Sequence, residues 1–244
     1  MGRWRFVVVR ARSLPILLSD SFLRNARWLV IAPHPDDETL GAGALIADTA
    51  SRKKLAGVAI LTNGEGSHHH VNASSRARLV AMRRREAAAA LRYLAPSYSG
   101  HPTHLGWPDA RPLLPATADY ASTVRRLAAI CRAHHVNAIA VTAAHEPHCD
   151  HQAAFSLALD VVRSAGCRIV LAEYLVWATS LPAQPHVAVR TAAMNAGRRK
   201  MALAAHRSQM SPAFGDGFRI SPEKARMSAS DVLYTRAIGH EKIA

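Results

Sequence analysis

Five uninterrupted apolar residues, "WLVIA" at 28–32, lead directly into "PHPDDE" at 33–38, where a histidine and three acids crowd together. A strand that is apolar at every position has no face to offer water, so it belongs inside a parallel sheet covered on both sides. Similar runs recur at "RFVVVRA" (5–11), "GVAILT" (57–62), "NAIAVTAA" (137–144), "RIVLAEYLVW" (168–177) and "HVAVRT" (186–191). Helical patterns over 41–53, 74–94, 117–135, 150–164 and 192–206 separate several of them. This alternation predicts an α/β fold with helices on both faces of the sheet. Looser segments at 95–116 and 207–222 read as loops bordering a site.

With 244 residues, 49% of them hydrophobic, the chain can bury one large core, and a single domain over 1–244 is expected. Its 31 Lys and Arg against 17 Asp and Glu give a net charge of +14. That excess suits phosphorylated substrates, nucleic acid or acidic lipid, and equally a surface that merely keeps the protein in solution. Three cysteines, Cys131, Cys149 and Cys167, show no C-x-x-C spacing, which excludes a disulfide framework or zinc knuckle and points to the cytoplasm. The N-terminal stretch is basic, but arginines interrupt its apolar runs, so no secretory leader is expected. No window reaches the ~20 apolar residues of a membrane span. Peripheral contact with a membrane stays compatible with the charge.

In a parallel sheet, ligands gather beyond the carboxyl ends of the strands. His34, Asp36, Asp37 and Glu38 follow the end of one strand, with Pro35 suited to the first turn of the next helix. Their mutual repulsion is partly relieved by free N–H groups at that helix start, and a divalent cation shared by His34 and Asp37 would relieve the rest, leaving Asp36 unliganded beside it. The alternative is simple first-turn charge. The small residues of "GAGA" (41–44) read as close helix–sheet packing, since neither a G-x-G-x-x-G nor a phosphate-loop pattern is complete.

"NAIAVTAAHEPHCDHQAAF" repeats the arrangement: an apolar strand, then His145, Glu146, His148, Cys149, Asp150 and His151, then a helix. The two clusters share one sheet edge and can converge. "HEPHC" is not a helical H-E-x-x-H, because its fifth residue is Cys149 and Pro147 would break the helix. His151 can instead join His34 and Asp37 as a third ligand, leaving a position open for water, as in catalytic zinc sites. Cys149 would close such a site if it bound as well. Asp150 either orients a ring N–H or caps the helix. Asp36 is then the natural general base. His148 is placed to stabilise an oxyanion or protonate a departing amine, so hydrolysis of an amide or ester is expected.

"APHPDDETLGAG" with "PHCDHQAA" and "KMALAAHRSQ" (200–209) resembles the de-N-acetylases of the PIG-L or LmbE-like family, which include the N-acetylglucosaminyl-phosphatidylinositol enzyme. The resemblance covers about 28–210, between an N-terminal extension (1–27) and a C-terminal segment (211–244). It implies a Rossmann-like three-layer fold with a mostly parallel sheet and zinc-dependent removal of acetyl from an N-acetylglucosamine-type sugar, phosphorylated or lipid-linked forms included. Carried over residue by residue, it gives His34, Asp37 and His151 as Zn2+ ligands, Asp36 as base and His148 as the second catalytic histidine. It also gives Arg83 (with Glu86, in R-x-x-E spacing) and Asp109 of "LGWPD" as substrate-binding, where a solvated arginine run and a turn aspartate are the plain alternatives. Some bacterial members have Tyr where this chain has Glu146, and an anion there cannot donate a hydrogen bond.

Several features fit less directly. "NGEGSHHH" (63–70) reads as a turn and an exposed loop, either a lid or an adventitious metal binder. His206 either complements a helix end or reaches the pocket, and Trp107 and Trp177 either stack on a sugar or lie in the core. A polyanion-binding protein with a structural metal is the rival function, motivated by Arg76, Arg78, Arg83, Arg84 and Arg85, but these cover several helix faces and no nucleic-acid motif accompanies them. A hydrolase of a different amide conjugate is the third.

Overall fold

The structure, a computed structural model, describes residues 14–68, 72–181, 186–212 and 215–236. The strand expected at 5–11 lies outside them. One eight-stranded sheet runs in the order β1-β7-β8-β6-β5-β2-β3-β4. Its elements are β1 (Ile16–Leu17), β2 (Trp28–Ala32), β3 (Leu55–Thr62), β4 (Thr103–Trp107), β5 (Ala138–Thr142), β6 (Val170–Tyr174), β7 (His186–Arg190) and β8 (Val232–Arg236). The α-helices among the described residues are α1 (Asp37–Ser51), α2 (Ala73–Leu94), α3 (Ala118–Ala133), α4 (Cys149–Ala165), α5 (Ala196–Ala205) and α6 (Arg207–Met210).

The block β6-β5-β2-β3-β4 is parallel throughout. The chain fills one side of β2 with β3 and β4, then returns to place β5 and β6 on the other, so strand order reverses between β2 and β5. That is the switch point where α/β sheets bind ligands. Register pairs Ile31 with Val141, which ends the two strands side by side and brings their following loops together.

Pleat alternation divides the core. Trp28, Val30 and Ala32 face one cluster with Leu45, Ile46, Leu91 and Leu94, while Leu29 and Ile31 face a second with Leu127, Leu157 and Val161. β2 is buried along its whole length, as its apolar run requires. Helix α1 begins at Asp37, four residues before the apolar pattern suggested, because the acids form its first turn and are themselves buried. Pro35 therefore lies in the turn before the helix and not in its first turn.

Three strands fall where none was expected, the two-residue β1 among them. β4 lies inside the segment read as a loop, and as a half-exposed edge strand it carries no continuous apolar run. β8 comes from the C-terminal segment and runs antiparallel to both β6 and β7. At its foot, Asp231 accepts from the Leu45 amide at 2.9 Å and pairs with Arg199, tying β8 to α1 and α5.

Small residues in α1 do allow close packing. Tyr174, whose hydroxyl donates to the Ile31 carbonyl at 2.8 Å, lays its ring against Gly41, where a Cβ would sit 2.2 Å from the ring carbon. Tyr174 is fully buried, so the ring has little room to yield. Gly41→Ala should cost about 1–3 kcal/mol by overpacking. At roughly 2–4 °C per kcal/mol, a thermal melt should fall by several degrees; an unchanged melting temperature would show that the helix shifts freely.

Candidate active site

The turn after β2 sets the geometry. Asp36 occupies the N-cap position of α1 with φ 138°, a conformation L-residues rarely adopt, and its side chain makes no capping bond. Its amide donates instead to Glu38 Oε2 at 2.9 Å. The Asp36 carboxylate is thereby left to face a cavity of about 700 Å³ lined by His34, Asp37, Arg83, Asp109, His148 and His151, among others.

Asp37 stands at the centre. Its Oδ2 lies 3.1 Å from His34 Nδ1 and 3.2 Å from His151 Nε2, so the two loops converge on one carboxylate oxygen. The far nitrogen of His34, Nε2, meets Asp150 Oδ2 at 3.0 Å and Asp109 Oδ1 at 3.3 Å. His151 Nδ1 faces Glu146 Oε2 at 3.4 Å. Both ring nitrogens of His151 are buried, yet neither forms a properly aligned hydrogen bond with its neighbouring carboxylate.

That arrangement fits a cation. Ligands at ~2.0–2.1 Å from a tetrahedral ion lie roughly 3.4 Å apart, close to the spacings around Asp37 Oδ2. A buried nitrogen beside a carboxylate but not bonded to it suits two donors sharing one ion. Electrostatics agree: burial works against charge on His151, but Asp37 and Glu146 raise its pKa to about 9, so this spot favours positive charge. His34, His148 and His151 also bring three ligand nitrogens within 4.8 Å of one another. His148 suits the part less, because its Nδ1 already accepts from the Asp150 amide at 3.2 Å. The neutral ring then carries its proton on Nε2.

Asp36 and Asp37 titrate in opposite directions. Burial and then the adjacent Asp37 charge hold Asp36 well above the usual carboxylate range. Asp37 is buried too, but the charge of His151 and the charge and hydrogen bond of His34 hold it far below that range.

Asp150 is not the helix cap, since His148 takes that position, and the ring it meets is that of His34. His151 is instead backed by Glu146, which is fully buried and accepts from the amides of Val176 at 2.6 Å and Trp177 at 2.9 Å. His145 turns away, with Nε2 2.6 Å from the Ser180 carbonyl, and Cys149 is exposed outside the cavity lining. Arg83 is 2% exposed, which removes it from any solvated arginine run. It donates to the carbonyls of Gly64 and Pro35 and approaches Asp36 Oδ2 at 3.8 Å. Gly64, at φ 63°, is required there, because a Cβ would overlap the guanidinium. Asp109 accepts from the Gly66 amide at 2.7 Å and lines the cavity.

Phe218 was not singled out in the sequence, and the contacts that give Glu38, His206 and Glu86 their parts were not legible there. Glu38 also meets His206 Nε2 at 3.1 Å, and His206, wholly buried at the end of α5, braces the Asp36 turn from behind without lining the cavity. Glu86 accepts from the Ser208 amide and hydroxyl, docking α6 on α2. Phe218 joins Trp177 in an edge-on pair 5.7 Å apart on the cavity wall. Trp107, by contrast, is core, its indole N–H donating to Thr123. Of the proposed lid, Gly66 and Ser67 line the cavity and His68 bridges to Gly217, while His69 and His70 lie outside the described residues.

Fold and cleft together define an α/β protein with a histidine- and carboxylate-lined site at the switch point of its sheet. The chain belongs to the PIG-L family of GlcNAc-PI de-N-acetylases, whose sequence pattern matches residues 29–162. No curated protein matches it in sequence. Among solved structures it is similar to the N,N'-diacetylchitobiose deacetylase of Pyrococcus horikoshii, at 20% identity over 78% of this chain and 73% of that one, TM-score 0.60. The A40926 pseudoaglycone deacetylase aligns at 18% identity over 86% and 97% of the two chains, TM-score 0.59. A 4-carboxy-2-hydroxymuconate hydratase from Pseudomonas putida KT2440 aligns at 16% identity over 88% and 98%, TM-score 0.51. The same architecture thus carries a hydratase as well, and the reaction must be argued from the site.

Glu146→Ala should leave His151 and the amides of residues 176 and 177 without their shared acceptor, at a cost of roughly 3 kcal/mol. Urea denaturation measures it; a loss below about 1 kcal/mol would mean that solvent replaces the carboxylate.

Proposed function

We propose that this protein is a metal-dependent hydrolase that removes the acetyl group from an N-acetylglucosamine-type sugar carried on a glycoconjugate or glycolipid precursor. The observation that carries the reading is the approach of His34 and His151 to one oxygen of Asp37, with the Asp36 carboxylate facing the same cavity. Family membership supports the acetamide as the bond cleaved. A divalent cation held by His34, Asp37 and His151, with zinc the natural choice for two imidazoles and a carboxylate, would acidify a water and polarise the amide carbonyl.

The remaining steps fall to side chains. Asp36, whose carboxyl is already poised to hold a proton, takes one from the attacking water. His148 donates a hydrogen bond from Nε2 to the oxygen on which charge develops, and Asp36 passes the proton it took from water to the departing amine. Glu146 cannot donate; its part is to hold His151 and the 176–177 amides. Asp150 fixes the ring of His34. Asp109 receives a sugar hydroxyl, and Arg83, its donors committed to Gly64 and Pro35, shapes the wall beside it.

Three unpaired thiols are in keeping with the cytoplasm as its compartment. Among the described residues, no helix is long and apolar enough to cross a membrane.

Acetate release from a panel of free, lipid-linked and nucleotide-linked N-acetyl sugars, by protein of measured metal content, tests the reading. Asp36→Asn should keep its metal and lose about 10²–10⁴ in turnover. His151→Ala should lose both; undiminished turnover in Asp36→Asn removes that residue as the base. His148→Ala should lower kcat about 10²-fold with little change in KM, and an effect on KM alone would make His148 a binding residue.

A further inference from the structure

The part of the chain that family resemblance leaves unexplained supplies one wall of the cavity. Phe218 is anchored by its amide to the Ser67 carbonyl at 2.7 Å, and Ile220 by its amide to Gln209 at 3.0 Å. A turn follows in which the Ala225 amide donates to the Ser221 carbonyl at 2.9 Å, while Ala225 and Met227 pack against the core. This fixed turn presents Lys224. Its Nζ lies 4.9 Å from the ring centre of Trp177, the residue that Phe218 meets edge-on.

Lys224 differs from the chain's other cations near the cleft. Arg83 spends its donors on backbone carbonyls, and Arg199 pairs with Asp231. Among the described residues, no carboxylate lies within ion-pair reach of Lys224 Nζ. Burial disfavours its charge, with Glu146 and Asp37 partly restoring it, so the ammonium is incompletely hydrated and lies within the field of the site. A half-buried cation over an aromatic ring holds an anion more strongly than a lysine in open water does. The cavity floor, with Asp36, Asp37 and Asp109, is acidic. An anionic substrate group therefore meets, at the Trp177 rim, a cation that no described carboxylate pairs.

We propose that Lys224, presented over Trp177 beside Phe218, binds a phosphoryl or carboxylate group on the part of the substrate beyond the acetylated sugar. The inference rests on the deacetylase reading and gives that site a preference: acetamide toward the floor, anion at the rim.

The test compares three substrates of the zinc-loaded, full-length protein: methyl N-acetylglucosaminide, N-acetylglucosamine 1-phosphate and a carboxymethyl N-acetylglucosaminide. Lys224→Met should raise KM about tenfold for one or both charged substrates, leaving kcat and the neutral substrate unchanged. Lys224→Arg should retain most of the preference, and added salt should erode it in the wild type and in Lys224→Arg but not in Lys224→Met. Whichever charged substrate responds identifies the group read. Equal effects on neutral and charged substrates, or none on either, overturn the proposal. If no substrate releases acetate, the deacetylase reading fails, and calorimetry with glucosamine 1-phosphate against glucosamine then decides the role of Lys224. A phosphate preference lost in Lys224→Met upholds it, and equal binding overturns it.

Discussion

Three consecutive carboxylates sit buried where β2 meets α1, and nearly everything else about this protein follows from how they are kept apart. Each has its own partner: Asp37 the two imidazoles, Glu38 the ring of His206, and Asp36 the guanidinium of Arg83. Like charges so close would otherwise neutralise one another by taking up protons. The backbone contributes through the unusual dihedral at Asp36, a conformation that costs about 1–3 kcal/mol and persists only where surroundings enforce it. Here Glu38 holds the amide of Asp36, and Arg83 holds the carbonyl of Pro35. Strain and burial leave the middle carboxylate fully engaged with histidines and the first one free to act.

The parts of this plan written most plainly in the sequence lie on buried parallel strands. β2 is apolar from end to end and β5 as far as its closing Thr142, and both are wholly buried, so the residues that follow them fall at the switch point by topology alone. β4 and β8 lack that signature because an edge strand and an antiparallel one are half exposed or interrupted by polar residues. Arg83 was ambiguous within "RRRE", although Leu79, Arg83, Glu86 and Ala90 recur at helical spacing and form the buried stripe of α2. That periodicity was the available signal. Glu146 offered none, since a carboxylate that serves backbone amides and a histidine ring looks, in sequence, like any loop acid.

Several side chains near the site act by fixing tautomers and orientations and not by touching a substrate. Asp150 constrains one nitrogen of His34, Glu146 backs one nitrogen of His151, and the Asp150 amide fixes which nitrogen of His148 bears hydrogen. Backing of this kind is what separates a cleft with the right residues from one with the right geometry. One architecture serves both a hydratase and a deacetylase, so the reaction has to be read from side chains and not from the sheet.

β8 is last in sequence among the described strands, yet it lies between β6 and β7. β7 and, beyond it, β1 are joined to the parallel block only through that inserted strand. During synthesis, β7 must therefore wait until residues 232–236 have left the ribosome before it has a ladder to join. A single proteolytic nick that freed β8 would detach three strands at once while sparing the switch point.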